Sequence, residues 1–270
     1  MATAPEQTVL PPETRAFYCG ALHALAESGV PFLVGGAYAF ARYTGIERHT
    51  KDFDIFVRER DRDRVLETLA GHGCETDLSF PHWLAKARCG EDFIDVIFSS
   101  GNGVAVVDDE WFAHAVDGEV FDLPVKLVPA EEKIFSKAFI QERERYDGAD
   151  VAHLLRASGR DLDWGRLLRR FGPYWRVLFQ HLIAFGFVYP SERDTIPAWV
   201  MRECLRRTAA EVERPPKQTM VCRGTLISRQ QYLVDVDCWG YEDARLNPRV
   251  AMTEDDIESW TEAIKDDGAH

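Results

Sequence analysis

The 270-residue chain has no Cys-x-x-Cys pair and no histidine grouping at zinc spacing. Its six cysteines (Cys19, Cys74, Cys89, Cys204, Cys222 and Cys238) are scattered. That pattern argues against a structural zinc site or a disulfide framework and predicts reduced thiols, several of them small core residues. Long hydrophobic runs are missing too. The most apolar late segment, Leu182 to Tyr189, is far too short to span a bilayer. Met1 to Pro12 lacks the basic and apolar regions of a secretory signal. No membrane association and a cytoplasmic location are therefore expected. Positive charge is in short supply: 32 Lys and Arg stand against 45 Asp and Glu, a net charge of −13. That sign disfavours a general nucleic-acid coat protein, which needs surplus cations to neutralise phosphates. Internal repeats and low-complexity tracts are absent.

What remains is an ordinary globular composition, 46% hydrophobic and 29% charged, with enough length for one large domain or two modest ones. The charge is uneven. Asp235 to the end carries eleven acids against the three bases Arg245, Arg249 and Lys265. Between Arg156 and Arg176 six arginines face only Asp161 and Asp163. Such runs are most often solvated surface, but the second could also form a basic face on an acidic protein.

Apolar spacing predicts a first helix over Glu13 to Glu27, with Phe17, Ala21, Leu22, Leu25 and Ala26 on one stripe. A short strand, Val30 to Val34, runs into Gly35-Gly36 and a second helix through about Tyr43. Asp52 to Val57 is the next strand, followed by a helix over Asp61 to Ala70. Three strand-like runs come next, Glu75 to Phe80, Trp83 to Arg88 and Phe93 to Phe98, with a further strand at Asp122 to Val128. From Glu131 the pattern turns helical: Glu131 to Arg143, Asp147 to Arg156, Asp163 to Arg170, Tyr174 to Phe187 and Ala198 to Arg207. Ser228 to Gln231 and Thr253 to Asp256 are shaped like capping boxes. The fold class expected is α/β (α+β), a small mixed sheet with flanking helices over residues 1–128. A helical domain over 129–212 follows, then a linker and acidic helical tail over 213–270.

The chemistry concentrates in the first part. Asp52 and Asp54 are spaced by two on a strand, so both carboxylates face the same way. Acids that close repel unless a cation lies between them, and hard, oxygen-ligated Mg²⁺ suits the pair. Glycines at a helix start, Gly35 and Gly36, let backbone approach a polyphosphate where the helix dipole favours negative charge. Asp95, on a later strand, could complete a metal site or take a proton from an acceptor hydroxyl. A lone Asp-x-Asp is weak. The same spacing recurs at Asp235 and Asp237, which read as an exposed helix, while Asp61 and Asp63 read as first-turn helix acids.

In that order, Gly35-Gly36, Asp52-Phe53-Asp54 and Asp95 resemble the signature of the DNA polymerase β-type nucleotidyltransferase superfamily. Arg48-His49-Thr50-Lys51-Asp52-Phe53-Asp54 is similar to the Arg-x-Thr-x-Asp-x-Asp form of the bacterial abortive-infection and toxin-type members. Ser136-Lys137-Ala138-Phe139 and Tyr146 to Val151 resemble that group's second motif, which implicates Lys137 and Asp150. The resemblance spans about Val30 to Leu155. It implies Mg²⁺ on Asp52, Asp54 and Asp95, a nucleoside triphosphate such as ATP as donor, and phosphate contacts from Gly35, Gly36, Arg48 and Thr50. Lys137 would steady the triphosphate. Read by themselves, Lys137 could equally be a solvated lysine, Asp150 a helix-start acid, and Arg48 the partner of a nearby acid. The toxin-type resemblance points to RNA, such as a tRNA end, as acceptor, docked on the Arg156 to Arg176 cluster, with an antitoxin protein as a further partner. The acidic balance favours a cationic small molecule instead, as in antibiotic-modifying nucleotidyltransferases. A non-catalytic nucleotide-binding module is the third reading.

Overall fold

The computed structural model describes residues 10–48, 50, 52–216, 218–247, 250 and 252–264. Met1 to Val9, the motif residues His49 and Lys51, and the late bases Arg249 and Lys265 lie outside the described residues. The chain divides into two compact units, residues 1–98 with 107–128, and residues 99–106 with 129–270.

The first unit follows the α+β pattern expected. In chain order it comprises α1 (Pro12–Ser28), β1 (Leu33–Val34), α2 (Gly36–Thr44), β2 (Asp52–Phe56), α3 (Glu59–Gly71), β3 (Glu75–Phe80), β4 (Leu84–Cys89), β5 (Asp92–Ile97), α4 (Asp109–Ala113), β6 (Val116–Val120) and β7 (Leu123–Leu127). The strands form one mixed sheet in the order β3-β4-β5-β2-β1-β7-β6, parallel only at β2·β5 and β1·β7. Strand alternation sends Phe53 and Ile55 of β2, Ile94 and Val96 of β5, and Ala85 and Ala87 of β4 to one face. There they join a core that also holds Tyr18, Ala21, Leu22 and Leu25 of α1 and Val65 and Leu69 of α3. Each such fully buried large side chain is worth roughly 1.5–3 kcal/mol relative to exposure. A one-residue slip of β2 would therefore expose Phe53 and Ile55 and bury Asp52 and Asp54. The core thus fixes which way the acids point.

Two elements of this unit, α4 and β6, had no counterpart in the sequence pattern. Asp108 caps α4 by accepting a 3.0 Å hydrogen bond from the Glu110 N–H. β6 lies at the sheet edge and buries only Val120.

The second unit contains α5 (Ala130–Ala138), α6 (Gly148–Ser158), α7 (Trp164–Phe171), α8 (Trp175–Val188), α9 (Ala198–Val212), a two-stranded β8 (Val221–Cys222) and β9 (Glu242–Asp243), α10 (Leu233–Asp237) and α11 (Glu254–Glu262). The expected helix over Glu131 to Arg143 stops early. After Ala138 the chain reverses through a bridge between Gln141 and Tyr146, and the Asp147 N–H donates to the Ile140 carbonyl. Phe171 and Phe185 are fully buried, and the Phe171 ring meets Phe135 edge-on at 5.0 Å. Thr253 forms its capping box with Asp256, whereas Ser228 opens only a turn before the five-residue α10. Asp235 and Asp237 sit on that short helix. All six cysteines are free thiols, and no described helix is long and apolar enough to cross a membrane.

The arginine cluster is not an open basic face. Arg156 pairs with Glu192 at 2.9 Å, Arg160 with Asp194 at 3.0 Å and Arg176 with Glu211. Arg166 is buried between Glu131 and Glu132 at 2.6 and 2.5 Å, and Arg170 reaches Glu132 at 3.2 Å. The partners come from distant parts of the chain, so the expected docking surface is largely neutralised by intramolecular ion pairs, exposed at Arg156, Arg160 and Arg176 and covered at Arg166 and Arg170.

Buried His181 makes a testable contribution here. Its Nε2 lies 2.9 Å from the Ala138 carbonyl, to which it donates as the neutral tautomer, and burial holds its pKa below the ordinary 6.5. As pH falls below 6.5 the unfolded chain binds a proton that the native state refuses, so native stability falls with it. Urea unfolding between about pH 7 and 5 is expected to show a loss of up to about 1.4 kcal/mol per pH unit from this group. His181→Gln should flatten that slope. An unchanged slope would assign the acid sensitivity elsewhere.

Candidate active site

The sheet's second face carries the acids. Asp52 is exposed at the mouth of β2, and Asp54, two residues on, is half-buried. Parallel pairing of β2 with β5 sets Asp54 directly beside Asp95, with Phe93 beside Asp52. Antiparallel pairing of β4 with β5 then sets Lys86 opposite Asp95. Paired residues of neighbouring strands point to the same face. Lys86, Asp95 and Asp54 therefore form one row across three adjacent strands, with the Lys86 Nζ 2.7 Å from the Asp95 Oδ1.

β1 closes the row from the other side. The Gly35 N–H donates to the Asp54 carbonyl at 3.0 Å, which brings the glycine pair over β2 as α2 begins. Gly36 has a φ of +51°, and a Cβ placed on it would fall 1.8 Å from the Asp54 Oδ2. The glycine pair thus has a second role besides the phosphate approach read from sequence: the carboxylate of Asp54 occupies the space a side chain would take. Gly35 has no side-chain cap to offer α2, and a Cβ there would strike the Phe56 ring at 2.1 Å.

The electrostatics follow from this crowding. Burial pushes the Asp95 carboxyl above the ordinary range. Lys86 pulls it back in part, and the charge of Asp52 adds to the rise. Tyr38, on α2, is pushed up to about 12 by burial and by Asp54, while its ring packs on Phe53 at 5.1 Å. Thr50 ties down the start of β2: its Oγ1 accepts from the Asp52 N–H at 3.0 Å and donates to the Asp52 carbonyl at 3.3 Å. The Arg48 guanidinium lies over the Phe40 ring of α2 at 4.4 Å. Sequence reading missed Lys86 and Tyr38. Lys86 does sit on a predicted strand, but which acid it faces is fixed only by the pairing of β4 with β5.

Lys137 and Asp150 lie in the second unit, and there they do meet. The Lys137 Nζ is 2.6 Å from the Asp147 Oδ2 and 2.8 Å from the Asp150 Oδ2. Burial alone would raise Asp147, yet Lys137 and Arg145 hold its carboxyl below the usual range. The early end of α5 makes this cluster, because the turn at Gln141 to Tyr146 returns Asp147 to the lysine.

Asp52 and Asp54 fit a hard divalent cation. Both are oxygen donors and both face one way. Mg²⁺ is commonly held by one or two carboxylates and completed by substrate phosphates and water, which matches so small a donor set. Among the described residues no group of three or more His, Cys, Asp or Glu is arranged to hold a metal.

A family model described as aminoglycoside-2''-adenylyltransferase matches residues 19–143, less than half of the 270. The matched stretch takes in Gly35, Gly36, Asp52, Asp54, Lys86, Asp95 and Lys137 and stops before Asp150. It is the model of an antibiotic-modifying family, where the wording of Arg48 to Asp54 had suggested the toxin-type branch. No curated protein matches the chain. Among solved structures, the solution structure of the antibiotic-resistance factor ANT(2'')-Ia is 16% identical, with 74% of this chain and 95% of that one covered and a TM-score of 0.40. A crystal structure of ANT(2")-Ia with adenylyl-2"-tobramycin gives 16%, 66% and 99%, with a TM-score of 0.41. The lincosamide antibiotic adenylyltransferase LnuA, lincomycin-bound, gives 16%, 53% and 95%, with a TM-score of 0.37.

Proposed function

We propose that this nucleotidyltransferase moves an adenylyl group from Mg²⁺-bound ATP to a hydroxyl of a small, cationic, antibiotic-type acceptor, releasing pyrophosphate. The observation that carries the reading is the packing of Asp54 between Gly36 and Asp95, with Asp52 on the same face. Asp52 and Asp54 would hold Mg²⁺, which when bound neutralises phosphate charge and favours the leaving pyrophosphate. Gly35 and Gly36 carry no side chains of their own at the head of α2, where a helix N-terminus favours phosphate. Asp95, whose raised pKa makes it a better base than an ordinary carboxylate, accepts the proton of the attacking hydroxyl. Lys137 and Asp150 enter as a pair. The lysine already serves two carboxylates at 2.6 and 2.8 Å, which leaves one of its three N–H donors for a phosphate and lowers the positive charge it would bring.

Two observations support the acceptor class. The matched family model is that of an aminoglycoside-modifying enzyme, and an acidic chain with net charge −13 attracts a cationic substrate. The RNA reading loses its docking face to the ion pairs of Arg156, Arg160, Arg166, Arg170 and Arg176. The test offers the protein each labelled nucleoside triphosphate with Mg²⁺ and, in parallel, a panel of aminoglycosides, a lincosamide and total RNA. Label from ATP on an aminoglycoside is the expected result. Label on RNA would restore the tRNA reading and its antitoxin partner, and no transfer to any acceptor would leave a nucleotide-binding module.

A further inference from the structure

Lys86 is held more firmly than a surface lysine would be. Its ammonium sits 2.7 Å from Asp95 and 4.3 Å over the Phe93 ring, and both members of the ion pair are largely covered, at 22% and 15% side-chain exposure. Its neighbour on the other flank, Asp77 of β3, offers no competition. Asp77 is paired to Lys86 by register, but its carboxylate is bound by Arg88 and by the Ser79 hydroxyl. Lys86 is therefore committed to Asp95.

That commitment bears on how many metal ions the site can take. Three carboxylates share one face: Asp52, Asp54 and Asp95. One divalent ion and one ammonium match them charge for charge. A second divalent ion on Asp95 would have to displace Lys86 or stand against its positive charge. We propose that Lys86 is a positioning residue that takes the place of a second metal ion, so that the site holds a single divalent cation on Asp52 and Asp54 and keeps Asp95 metal-free. This rests on the nucleotidyltransferase reading above and extends it to the composition of the site. The arrangement leaves the lone pairs of Asp95 available to an acceptor hydroxyl, with Lys86 fixing the carboxylate's orientation.

The experiment titrates Mn²⁺ into the full chain with a non-hydrolysable ATP analogue and reads stoichiometry by calorimetry and metal–metal coupling by electron paramagnetic resonance. Wild type should bind about one Mn²⁺ per chain with an uncoupled spectrum, where a two-metal site would show about two, spin-coupled. Lys86→Met should admit the second ion and the coupled signal, and Lys86→Arg should restore the single uncoupled ion. Circular dichroism checks that each variant is folded; if Lys86→Met is not, Lys86→Gln replaces it. Two coupled ions in wild type overturn the proposal, as does a single ion in both folded Lys86 variants. If the wild-type chain binds no Mn²⁺–analogue complex at all, the nucleotidyltransferase reading itself falls and takes this inference with it, an outcome distinct from the other two.

Discussion

Asp54→Asn is expected to lower adenylyl transfer by about a thousandfold or more, near 4 kcal/mol of transition-state stabilisation, while leaving the fold intact. The side chain lies where three constraints meet: in the space left by Gly36, beside Asp95, and on the face shared with Asp52. Asparagine keeps the shape and so keeps that packing. It removes the charge that a divalent cation requires of its ligand. It also relieves the repulsion between Asp54 and Asp95, so the melting temperature should hold or rise slightly. That divergence is the diagnostic feature, since a merely structural aspartate would lose activity and stability together. Asp237→Asn, which alters an Asp-x-Asp pair of the same spacing on α10, is the control and should change neither quantity. Single-turnover transfer from labelled ATP, with thermal unfolding of the same samples, decides the matter. Residual activity within tenfold of wild type would remove Asp54 from the metal site.

The parts of this site legible in the sequence are those governed by local periodicity. Alternation alone told that Asp52 and Asp54 share a face, and the core takes Phe53 and Ile55 on the other. The glycine pair at a strand-to-helix junction was equally local. Relations between strands distant in sequence were not legible. Nothing near Lys86 announces that register will set it between Asp95 and Asp77, with its ammonium paired to Asp95. The arginine run misled for the same reason: its charge was counted without Glu131, Glu132, Glu192, Asp194 and Glu211, which fold back onto it. β6 escaped notice because an edge strand that buries one residue of five carries almost no apolar period. The stop of α5 at Ala138 was hidden as well. The helical pattern continues past it, and the chain turns because a tertiary bond, from the Gln141 N–H to the Ile227 carbonyl, outweighs local propensity.

Gly36→Ala separates two reasons for a glycine at the head of α2. One is backbone conformation: at φ +51° an L-residue costs roughly 1–2 kcal/mol. The other is space, since the new methyl would fall 1.8 Å from the Asp54 carboxylate oxygen, so that carboxylate has to move. Gly45 isolates the first reason. It closes the same helix at φ +69° with nothing within 4 Å of its missing Cβ. Gly45→Ala should therefore lose about 1–2 kcal/mol of stability and keep its transfer rate. Gly36→Ala should lose at least as much stability and, in addition, a hundredfold or more in kcat/KM, because the Asp54 carboxylate must leave the position it holds beside Gly36. Mn²⁺ affinity in the presence of the ATP analogue should fall in the Gly36 variant and hold in the Gly45 variant. If the two alanine variants proved alike in metal affinity and rate, Gly36 would be a conformational glycine only, and the seating of Asp54 beneath it would carry no catalytic meaning.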